Sequence, residues 1–456
     1  MNDTEVQLAR LADNLEYIID SDGQRVEFDD PRVIHIQGGN NSPYSIRLVE
    51  NLYKRSGRKC RFTGRLDAEA IQYAKKLCSG RECVPCMGIA GATAKDVYEK
   101  HYDSEIALYF TLDQQGPCQN GAWPVVWDSF AKRLNVGNAI FGIQPNRKNN
   151  FFGLSPEHMK GTATATIVGH FLDEAENALK CLAQDKHAAL ETFEAETNTL
   201  IESILKGTKA FELALKQWAD KMSLIPLTAT VKETPKVLIF GGLNLLFVHR
   251  PVTDFFIEQG ILPKVVDLAE GTTWIASEPV MRFGFKKGLV SPKKQFKMIP
   301  LVLASLPGRK NRDEAVIALR ARLGISFIDR LMGKYREIME KSGLMFDKHV
   351  VFADLAEAGH EYATYNGFTE TPVTTGRFLC SVKDGLFDGL VNMGSFNCQP
   401  AMNSQAIIRP LANVCDVPYA AIDCEGPSIT ANQKRLLETI AVQAKRIRQE
   451  KNERGL

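Results

Sequence analysis

The stretch RVIHIQGGNNSPYSIRLVENLYK at residues 32–54 decides the fold. Residues 32–37 form a β-rich run that ends at a pair of glycines, and a helical pattern of apolar residues follows at 44–54. The same theme returns downstream, with strand patterns at 59–63 and 105–112 and a helical pattern at 67–77. Strands that alternate with helices predict a mostly parallel sheet covered on both faces.

The middle of the chain has a different pattern. Residues 162–222 are rich in Ala, Leu, Glu and Lys with almost no β signal, which predicts a helical connector. A second α/β alternation then begins with KVLIFGG at 236–242. Further strands are predicted at 264–267, 298–304, from 349, at 389–393 and at 419–423, before a last helix from 430 to about 451. The expected fold class is α/β, with two Rossmann-like lobes of mostly parallel sheet and a helical connector subdomain.

These patterns divide the chain into five parts. The predicted boundaries are an N-terminal helical extension (1–30), a first α/β lobe with paired cysteines (31–160), the helical connector (161–235), a second α/β lobe (236–430) and a C-terminal helix (431–456). No internal repeat occurs at the periods of solenoid proteins, although the two lobes could be distant copies of one architecture.

Length and composition restrict the class of protein. The chain has 456 residues, of which 44% are hydrophobic and 24% charged, as in globular proteins of two or three domains. Residues 1–13 lack the apolar core of a secretory signal, and no span reaches the roughly 20 apolar residues of a membrane helix. The net charge of +2 gives no field that would attract nucleic acid. We therefore expect a cytoplasmic protein without a nucleic-acid or membrane partner.

Ten cysteines make thiol chemistry the central question. In a cytoplasmic chain of this size they are better explained as metal ligands, catalytic thiols or buried apolar residues than as a disulfide framework. Cys83 and Cys86 form a C-x2-C pair between the helix that should stop at Gly80 and a helical pattern at 92–100. Two thiolates at this spacing can bind one metal centre from a tight turn, although a zinc knuckle or a thioredoxin-like redox pair has the same spacing.

Two more cysteines follow predicted strands. Cys118 lies in QGPCQNG after the strand at 105–112, and Cys398 lies in FNCQP after the strand at 389–393. Functional groups collect outside the carboxyl ends of the strands in open parallel sheets. Three loops from both lobes thus supply four candidate ligands.

The other six cysteines have simpler explanations. Free cysteine is often buried as a small apolar residue, and this role is expected of four cysteines: Cys78, Cys181, Cys380 and Cys415. Two cysteines near the predicted site are reserve ligands for a larger cluster: Cys60 and Cys424. The glycine loops at 38–42 and 241–242 can bind an anion such as a CoA phosphate, but neither has the full G-x-G-x-x-G spacing and a tight turn explains them.

Four segments together carry a resemblance: GRECVPC at 80–86, QGPCQNG at 115–121, FNCQP at 396–400 and the block VPYAAIDCEGPSITANQKRLLETIAVQAKR at 417–446. They resemble the 2-hydroxyacyl-CoA dehydratase and benzoyl-CoA reductase superfamily, in its activase-related branch near the double-cubane cluster proteins. The resemblance implies two Rossmann-like lobes that hold an iron–sulfur cluster. It makes Cys83, Cys86, Cys118 and Cys398 the expected cluster ligands. The chain departs from the family at Cys424, where the family usually shows Asp-Gly without a cysteine.

The resemblance also implies a function. A separate ATP-hydrolysing iron–sulfur activase would inject low-potential electrons, since the chain has no phosphate-binding loop of its own. The cluster, a 4Fe-4S group or a larger double-cubane group if extra cysteines take part, would pass them to a small molecule or an acyl-CoA. A homo-oligomer or a related subunit is compatible with this expectation. The competing hypothesis is a zinc-stabilised structural or interaction protein, because four thiolates also suit tetrahedral zinc.

Overall fold

Two parallel four-stranded sheets form the centre of the protein. The computed structural model describes residues 6–38, 42–64, 67–102, 104–111, 118–143, 149–242, 250–364 and 369–455. Helices cover the sheets and connect them. The predicted α/β class with two Rossmann-like lobes is confirmed.

The N-terminal segment differs from its prediction. Its described part forms an antiparallel sheet of three short strands rather than a helix: β1 (Arg10–Leu11), β2 (Ile18–Ile19) and β3 (Arg25–Val26). The Asp20 carboxylate accepts hydrogen bonds from the backbone N–H groups of Asp22 and Gln24, and Gly23 adopts a φ of 75°. This turn chemistry favours a hairpin over a helix. The hairpin buries Ile18 against the first lobe.

The first lobe contains the strands predicted from the sequence and one that was missed. They are β4 (Val33–Gln37), β5 (Lys59–Phe62), β6 (Ile106–Phe110) and the additional β7 (Ala139–Ile143). All are parallel, in the order β5-β4-β6-β7. The intervening helices are α1 (Pro43–Arg55), α2 (Ala68–Leu77), α3 (Val84–Lys100) and α4 (Trp123–Leu134). Asp67 caps α2, because its carboxylate accepts a hydrogen bond of 2.7 Å from the Ala70 N–H.

The helical connector follows the first lobe. It consists of α5 (Pro156–Leu182), α6 (Lys186–Ser203) and α7 (Thr208–Met222). Apolar residues of these helices, including Phe171, Phe193 and Trp218, pack with α1 in the largest hydrophobic cluster of the described chain. The connector is therefore packed firmly against both lobes.

The second lobe repeats the strand order of the first. Its strands are β8 (Lys236–Phe240), β9 (Leu262–Val265), β10 (Gly389–Ser395) and β11 (Tyr419–Cys424), in the order β11-β10-β8-β9. In both lobes the first and third strands are neighbours at the centre of the sheet. A parallel sheet of this order has its topological switch point at the carboxyl ends of those two strands.

The helices of the second lobe correct two predicted strands. They are α8 (Arg250–Glu258), α9 (Leu268–Lys286), α10 (Pro292–Gln295), α11 (Met298–Ala304), α12 (Arg312–Glu340), α13 (Phe352–His360), α14 (Thr371–Asp384), α15 (Gln399–Val414) and α16 (Ala431–Glu453). The strands predicted at 298–304 and from 349 were wrong: the first is α11, and α13 begins three residues after His349. Periodicity cannot separate a short apolar run in a strand from one in a buried helix. Leu301 of α11 packs against Ala315 and Ala318 of α12.

In each lobe, two tightly packed helices immediately precede the third strand in the chain. In the first lobe, a Cβ added to Gly91 of α3 would lie 2.1 Å from the Ala70 carbonyl oxygen of α2. In the second lobe, a Cβ on Gly376 of α14 would lie 1.9 Å from the Leu355 carbonyl oxygen of α13. Only glycine permits this backbone approach. The two pairs, α2–α3 and α13–α14, direct the N-termini of α3 and α14 towards the carboxyl ends of the sheets.

The two lobes pack directly on each other. Ala70 and Val84 of the first lobe belong to the same hydrophobic cluster as Val237, Val391 and Ile422 of the second. Within the described ranges, no helix has the length and apolar character needed to cross a membrane.

Candidate metal centre

The C-x2-C pair lies at the start of α3. The sequence predicted a turn here and a helix from residue 92, but the helix begins eight residues earlier, at Val84, with Pro85 in its first turn. Cys83 is the N-cap residue and Cys86 lies in the first turn; both side chains are buried. The positive end of the helix dipole favours the thiolate forms of both cysteines.

Cys118 and Cys398 occupy corresponding places in the two lobes. Cys118 follows β6, the third strand of the first lobe, and precedes a 3₁₀ turn that leads into α4. Residues 112–117, which complete the predicted Gly-Pro-Cys loop, lie outside the described part of the chain. Cys398 follows β10, the third strand of the second lobe, and is the N-cap residue of α15. Both cysteines are followed by glutamine, Gln119 and Gln399.

Gln119 joins the three cysteine loops. Its Oε1 accepts a hydrogen bond of 2.8 Å from the Cys83 N–H, and its Nε2 donates one of 3.2 Å to the Asn397 carbonyl. The Val84 N–H also donates to the Phe396 carbonyl at 3.4 Å. The sequence analysis missed the role of Gln119, because its partners are distant in the sequence. The adjacent Cys-Gln pairs in the two lobes are the signal that could have revealed it.

Burial and neighbouring charges raise the pKa values of three of the candidate thiols. Burial, together with the charges of Cys83, Cys78, Glu82 and Cys118, raises the pKa of Cys86. Burial raises the pKa of Cys398, and the charges of Glu370, Cys118 and Cys83 raise it further. The pKa of Cys83 is raised too, by burial and by Glu370. The hydrogen bonds of Gln119 and Val84 bring together the loops that carry the four predicted ligands: Cys83, Cys86, Cys118 and Cys398.

These raised pKa values favour the protonated thiols in the metal-free protein, because burial, and then neighbouring negative charge, disfavours the thiolate. A bound metal would instead deprotonate its thiol ligands. Metal binding here is therefore expected to release protons. The chemistry of the donor set fits a thiophilic metal or an iron–sulfur group.

The spacing of the side chains bears on the size of such a group. Among the described residues, no three Cys, His, Asp or Glu side chains stand in an arrangement that would hold a single metal ion. A tetrahedral zinc ion needs thiolate sulfurs about 3.8 Å apart, since each Zn–S bond is about 2.3 Å long. A four-iron cluster binds each thiolate to a different iron and therefore spaces the sulfurs more widely. An iron–sulfur group therefore requires a wider spacing of the thiol sulfurs than a zinc ion does.

A fifth thiol lies close to the four predicted ligands. Cys78, predicted to be a packing residue, packs against the core of the first lobe as the C-cap residue of α2. Burial raises its pKa to about 12, and the charges of Glu82 and Cys83 contribute to the shift.

The two reserve ligands, Cys60 and Cys424, lie in two different hydrophobic cores. Cys60 packs beside the connector core, and Cys424 is the last residue of β11, buried in the core of the second lobe.

The remaining cysteines lie elsewhere. Cys181 is half-buried against the connector core, as predicted, and Cys380 is half-buried on α14. Cys415 was predicted to be a packing residue, but it is exposed at the end of α15. Packing does not explain Cys415.

We expect Cys181→Ala to leave the metal content unchanged. The side chain contributes only packing, so the free energy of unfolding should fall by about 1 kcal/mol. Metal analysis and urea denaturation of the variant and the wild-type chain provide the check. Loss of metal from Cys181→Ala would contradict the placement of the site.

A cavity lies in the second lobe. It has a volume of about 70 Å³ and opens at the carboxyl end of β8, between α9 and α14. Its apolar wall includes Phe240, Trp274 and Val373, and its polar groups are Glu270, Glu370 and Arg377. Burial raises the pKa of Glu270. Glu370 lines the cavity, and its charge also raises the pKa values of Cys83 and Cys398.

The two glycine loops have structural roles. Gly241 has a φ of 138°, and a Cβ on it would lie 2.2 Å from the Met393 carbonyl oxygen, so close packing against β10 requires glycine there. In the first loop, Ser42 caps α1 by accepting a hydrogen bond from the Ser45 N–H. Residues 39–41 and 243–249 lie outside the described ranges, so anion binding by these loops remains a prediction.

Gln119→Ala should loosen the contact between the cysteine loops. The variant removes two hydrogen bonds that are partly exposed to water, so we expect a loss of about 1 kcal/mol in the free energy of unfolding. Urea denaturation of the metal-free protein measures this loss. Gln217→Ala, at an exposed position of α7, is the matched control and should change stability by less than about 0.5 kcal/mol. Equal stability of the two variants would contradict the bridging role of Gln119.

Comparison with family models and with curated proteins finds no relative of this chain. The sequence matches no family model, and no curated protein matches it. The fold and the site therefore rest on the chain's own residues.

Proposed function

We propose that this chain is an iron–sulfur redox protein of the 2-hydroxyacyl-CoA dehydratase type. It takes low-potential electrons from an ATP-hydrolysing iron–sulfur activase and passes them to a small molecule or an acyl-CoA. One observation carries the proposal: hydrogen bonds from Gln119 and Val84 join the three loops, drawn from both lobes, that carry the four candidate thiols. A bound iron–sulfur group would supply single-electron transfer.

The residues around the thiols suit such a site. Cys83 and Cys86 are buried, and thiolate charge together with burial tunes the potential of an iron–sulfur group. Gln119 holds the loops of the two lobes together through its two amide hydrogen bonds. Because the lobes share a hydrophobic cluster, the cysteine loops are attached to a preformed scaffold. Such a scaffold limits the rearrangement that accompanies electron transfer.

The cavity gives a place for a substrate near the thiols. Its volume is about 70 Å³, and its lining is mostly apolar with a few charged side chains, as in small-molecule sites. Glu370 lines this cavity, and the next residue, Thr371, donates a hydrogen bond of 3.2 Å to the Pro400 carbonyl, two residues after Cys398. An acyl-CoA could therefore insert only its reacting end, with the rest of the molecule outside.

A reductive titration tests the proposal. The anaerobically purified full chain should have a broad visible absorption that decreases when a low-potential chemical reductant is added and returns on reoxidation. The decrease follows from electron uptake by an iron–sulfur group. A colourless chain that contains zinc and does not change with reductant would support a zinc-stabilised structural protein and would refute the proposal.

A further inference from the structure

A basic segment of the second lobe lies at residues 282–312. It contains nine of the 56 Lys and Arg residues of the chain and none of its 54 Asp and Glu residues. Because the net charge of the whole chain is +2, the remaining residues are together net negative. The basic segment runs from the last turns of α9 through α10 and α11 to the first residue of α12. The small overall charge therefore conceals a strongly positive surface.

All nine cations of the basic segment are exposed. Four of them form an ion pair with an acidic residue outside the segment: Arg282, Lys286, Lys293 and Arg312. Within the described part of the chain, the other five have no ion-pair partner: Lys287, Lys294, Lys297, Arg309 and Lys310. Three of these five precede α11 and two follow it. Positive charge without a neutralising partner thus flanks α11 at both ends.

The helix between these charges has an exposed apolar stripe, formed by Ile299, Val302, Leu303 and Leu306. The four side chains are 43–73% exposed, and their i, i+3, i+4 and i+7 spacing lines one face of a helix. Leu306 lies two residues beyond the end of α11. An exposed apolar patch with a polar rim marks a site where another molecule binds.

The packing of α11 fixes this stripe in solvent. Leu301, on the other face of α11, is buried in a cluster with Phe283 of α9 and with Ala315 and Ala318 of α12. The core contacts of α11 are therefore made by the face opposite the stripe. The same cluster holds the end of α9 and the start of α12 beside α11, so their cations lie around it.

A negatively charged membrane surface suits this face better than the other possible occupants. A second copy packed about a two-fold axis would place the same lysines against one another. Protein interfaces are depleted in Lys and enriched in aromatic residues and Arg, whereas the stripe is aliphatic and six of the nine cations are Lys. Binding to phosphate groups alone would leave the stripe in water. A bilayer accepts the stripe at the boundary of its acyl chains and presents anionic head groups to the lysines.

We propose that the apolar stripe and the basic segment together bind the surface of an anionic phospholipid membrane. α11 lies in the plane of the interface with the stripe inserted between lipids, and the cations on both sides of it contact the head groups. The sequence analysis expected no membrane partner because it found no membrane-spanning segment, and this mode of binding needs none. The inference is independent of the metal centre and of the proposed function.

Sedimentation of the full chain with lipid vesicles tests the role of the cations. The wild-type chain should bind vesicles of mixed phosphatidylcholine and phosphatidylserine, release them at high salt, and not bind phosphatidylcholine alone. Lys294→Glu/Lys297→Glu should weaken binding to the mixed vesicles by at least about tenfold, because each substitution replaces attraction to the head groups by repulsion. Lys209→Glu/Lys216→Glu, at two exposed lysines of α7, is the control and should bind as the wild-type chain does.

A second pair of variants tests the apolar stripe. Val302→Ser/Leu303→Ser should weaken binding to the mixed vesicles to a similar extent, since the polar side chains lose the gain of inserting into lipid. The matched control, Leu436→Ser/Val442→Ser, replaces an exposed leucine and an exposed valine of α16. It should retain wild-type binding.

Two results would overturn the proposal. The first is full binding of the mixed vesicles by both α11 variants, and the second is a wild-type chain that does not bind these vesicles at low salt. In the second case, sedimentation velocity identifies the occupant. A wild-type dimer that Val302→Ser/Leu303→Ser dissociates would assign the face to a second copy of the chain, and a monomer would assign it to an acidic protein.

Discussion

Glu174→Ala is expected to destabilise the protein by about 3–5 kcal/mol, the effect of breaking a buried ion pair by removing one partner. Glu174, on α5, is 2% exposed. Its carboxylate accepts hydrogen bonds from Arg336 Nη1 and Nη2 at 3.0 and 2.8 Å and from Lys264 Nζ at 2.8 Å. The alanine variant leaves both cations buried with fewer partners. Glu174 joins the helical connector to the second lobe.

Two backbone groups add to this loss. The N–H groups of Phe346 and Asp347 donate to Glu174 Oε1 at 2.7 and 3.0 Å. In the variant these donors lose their acceptor, and a buried donor without a partner costs about 1–3 kcal/mol. Asp267, 2.7 Å from Lys264, continues to neutralise that lysine and limits the total.

The same carboxylate predicts acid sensitivity. Burial alone would raise the pKa of Glu174, but Arg336 and Lys264 outweigh burial and hold that pKa below its usual range. A carboxyl group with a lowered pKa in the folded state contributes stability above its unfolded pKa, near 4.5, and loses it as the pH falls towards the folded value. The stability difference between the wild-type chain and Glu174→Gln should therefore shrink below about pH 4.5.

Denaturant unfolding between pH 3 and pH 7 measures both effects. Glu194→Ala is the matched control, because Glu194 forms a surface ion pair with Arg47 at 2.9 Å. Such a pair contributes at most about 1 kcal/mol. A Glu174→Ala variant no less stable than Glu194→Ala would contradict the structural role of the buried network.

Cys118→Ser is expected to remove or convert the metal group while the fold remains. Cys118 is a half-buried loop residue, and the hydroxyl that replaces its thiol is a poor ligand for iron. The lobes share a hydrophobic cluster built without this residue, so they should remain packed. Small metal-dependent domains behave differently: they unfold without their metal, because metal binding supplies the free energy that folds them.

Metal analysis and circular dichroism of Cys118→Ser give the result. The variant should also lose any reduction that depends on an ATP-hydrolysing activase. Cys415→Ser, at an exposed cysteine of α15, is the control and should retain wild-type metal content. Full retention of iron and of activase-dependent reduction in Cys118→Ser would refute its assignment as a ligand. A globally unfolded variant would show that the metal group holds the lobes together.

The sequence predicted most strands because buried parallel strands are continuous apolar runs. Residues 236–240 and 389–393 are such runs, and both are strands of the second sheet. The prediction failed where a short apolar run is compatible with either a strand or a buried helix. Residues 298–304 are such a run, and they form a helix that packs against α12. It also failed in the N-terminal segment, where the Asp20 turn favours a hairpin.

The site was predicted in part for the same reason. The sequence placed Cys118 and Cys398 after two strands, and the structure confirms this placement, after β6 and β10; functional groups collect at the carboxyl ends of such strands. Contacts between distant segments could not be found in this way. Gln119 and Asn397 are 278 positions apart, and Glu174 and Arg336 are 162 apart. No short sequence pattern links the two residues of either pair, so the sequence alone could not predict these contacts.

Metal analysis of the anaerobically purified chain tests the central claim most directly. Iron, acid-labile sulfide and zinc are measured per chain. The account predicts iron and sulfide in nearly equal amounts, at about four of each per chain for one cubane and more for a double-cubane group. A chain that contains about one zinc ion and no sulfide would contradict it.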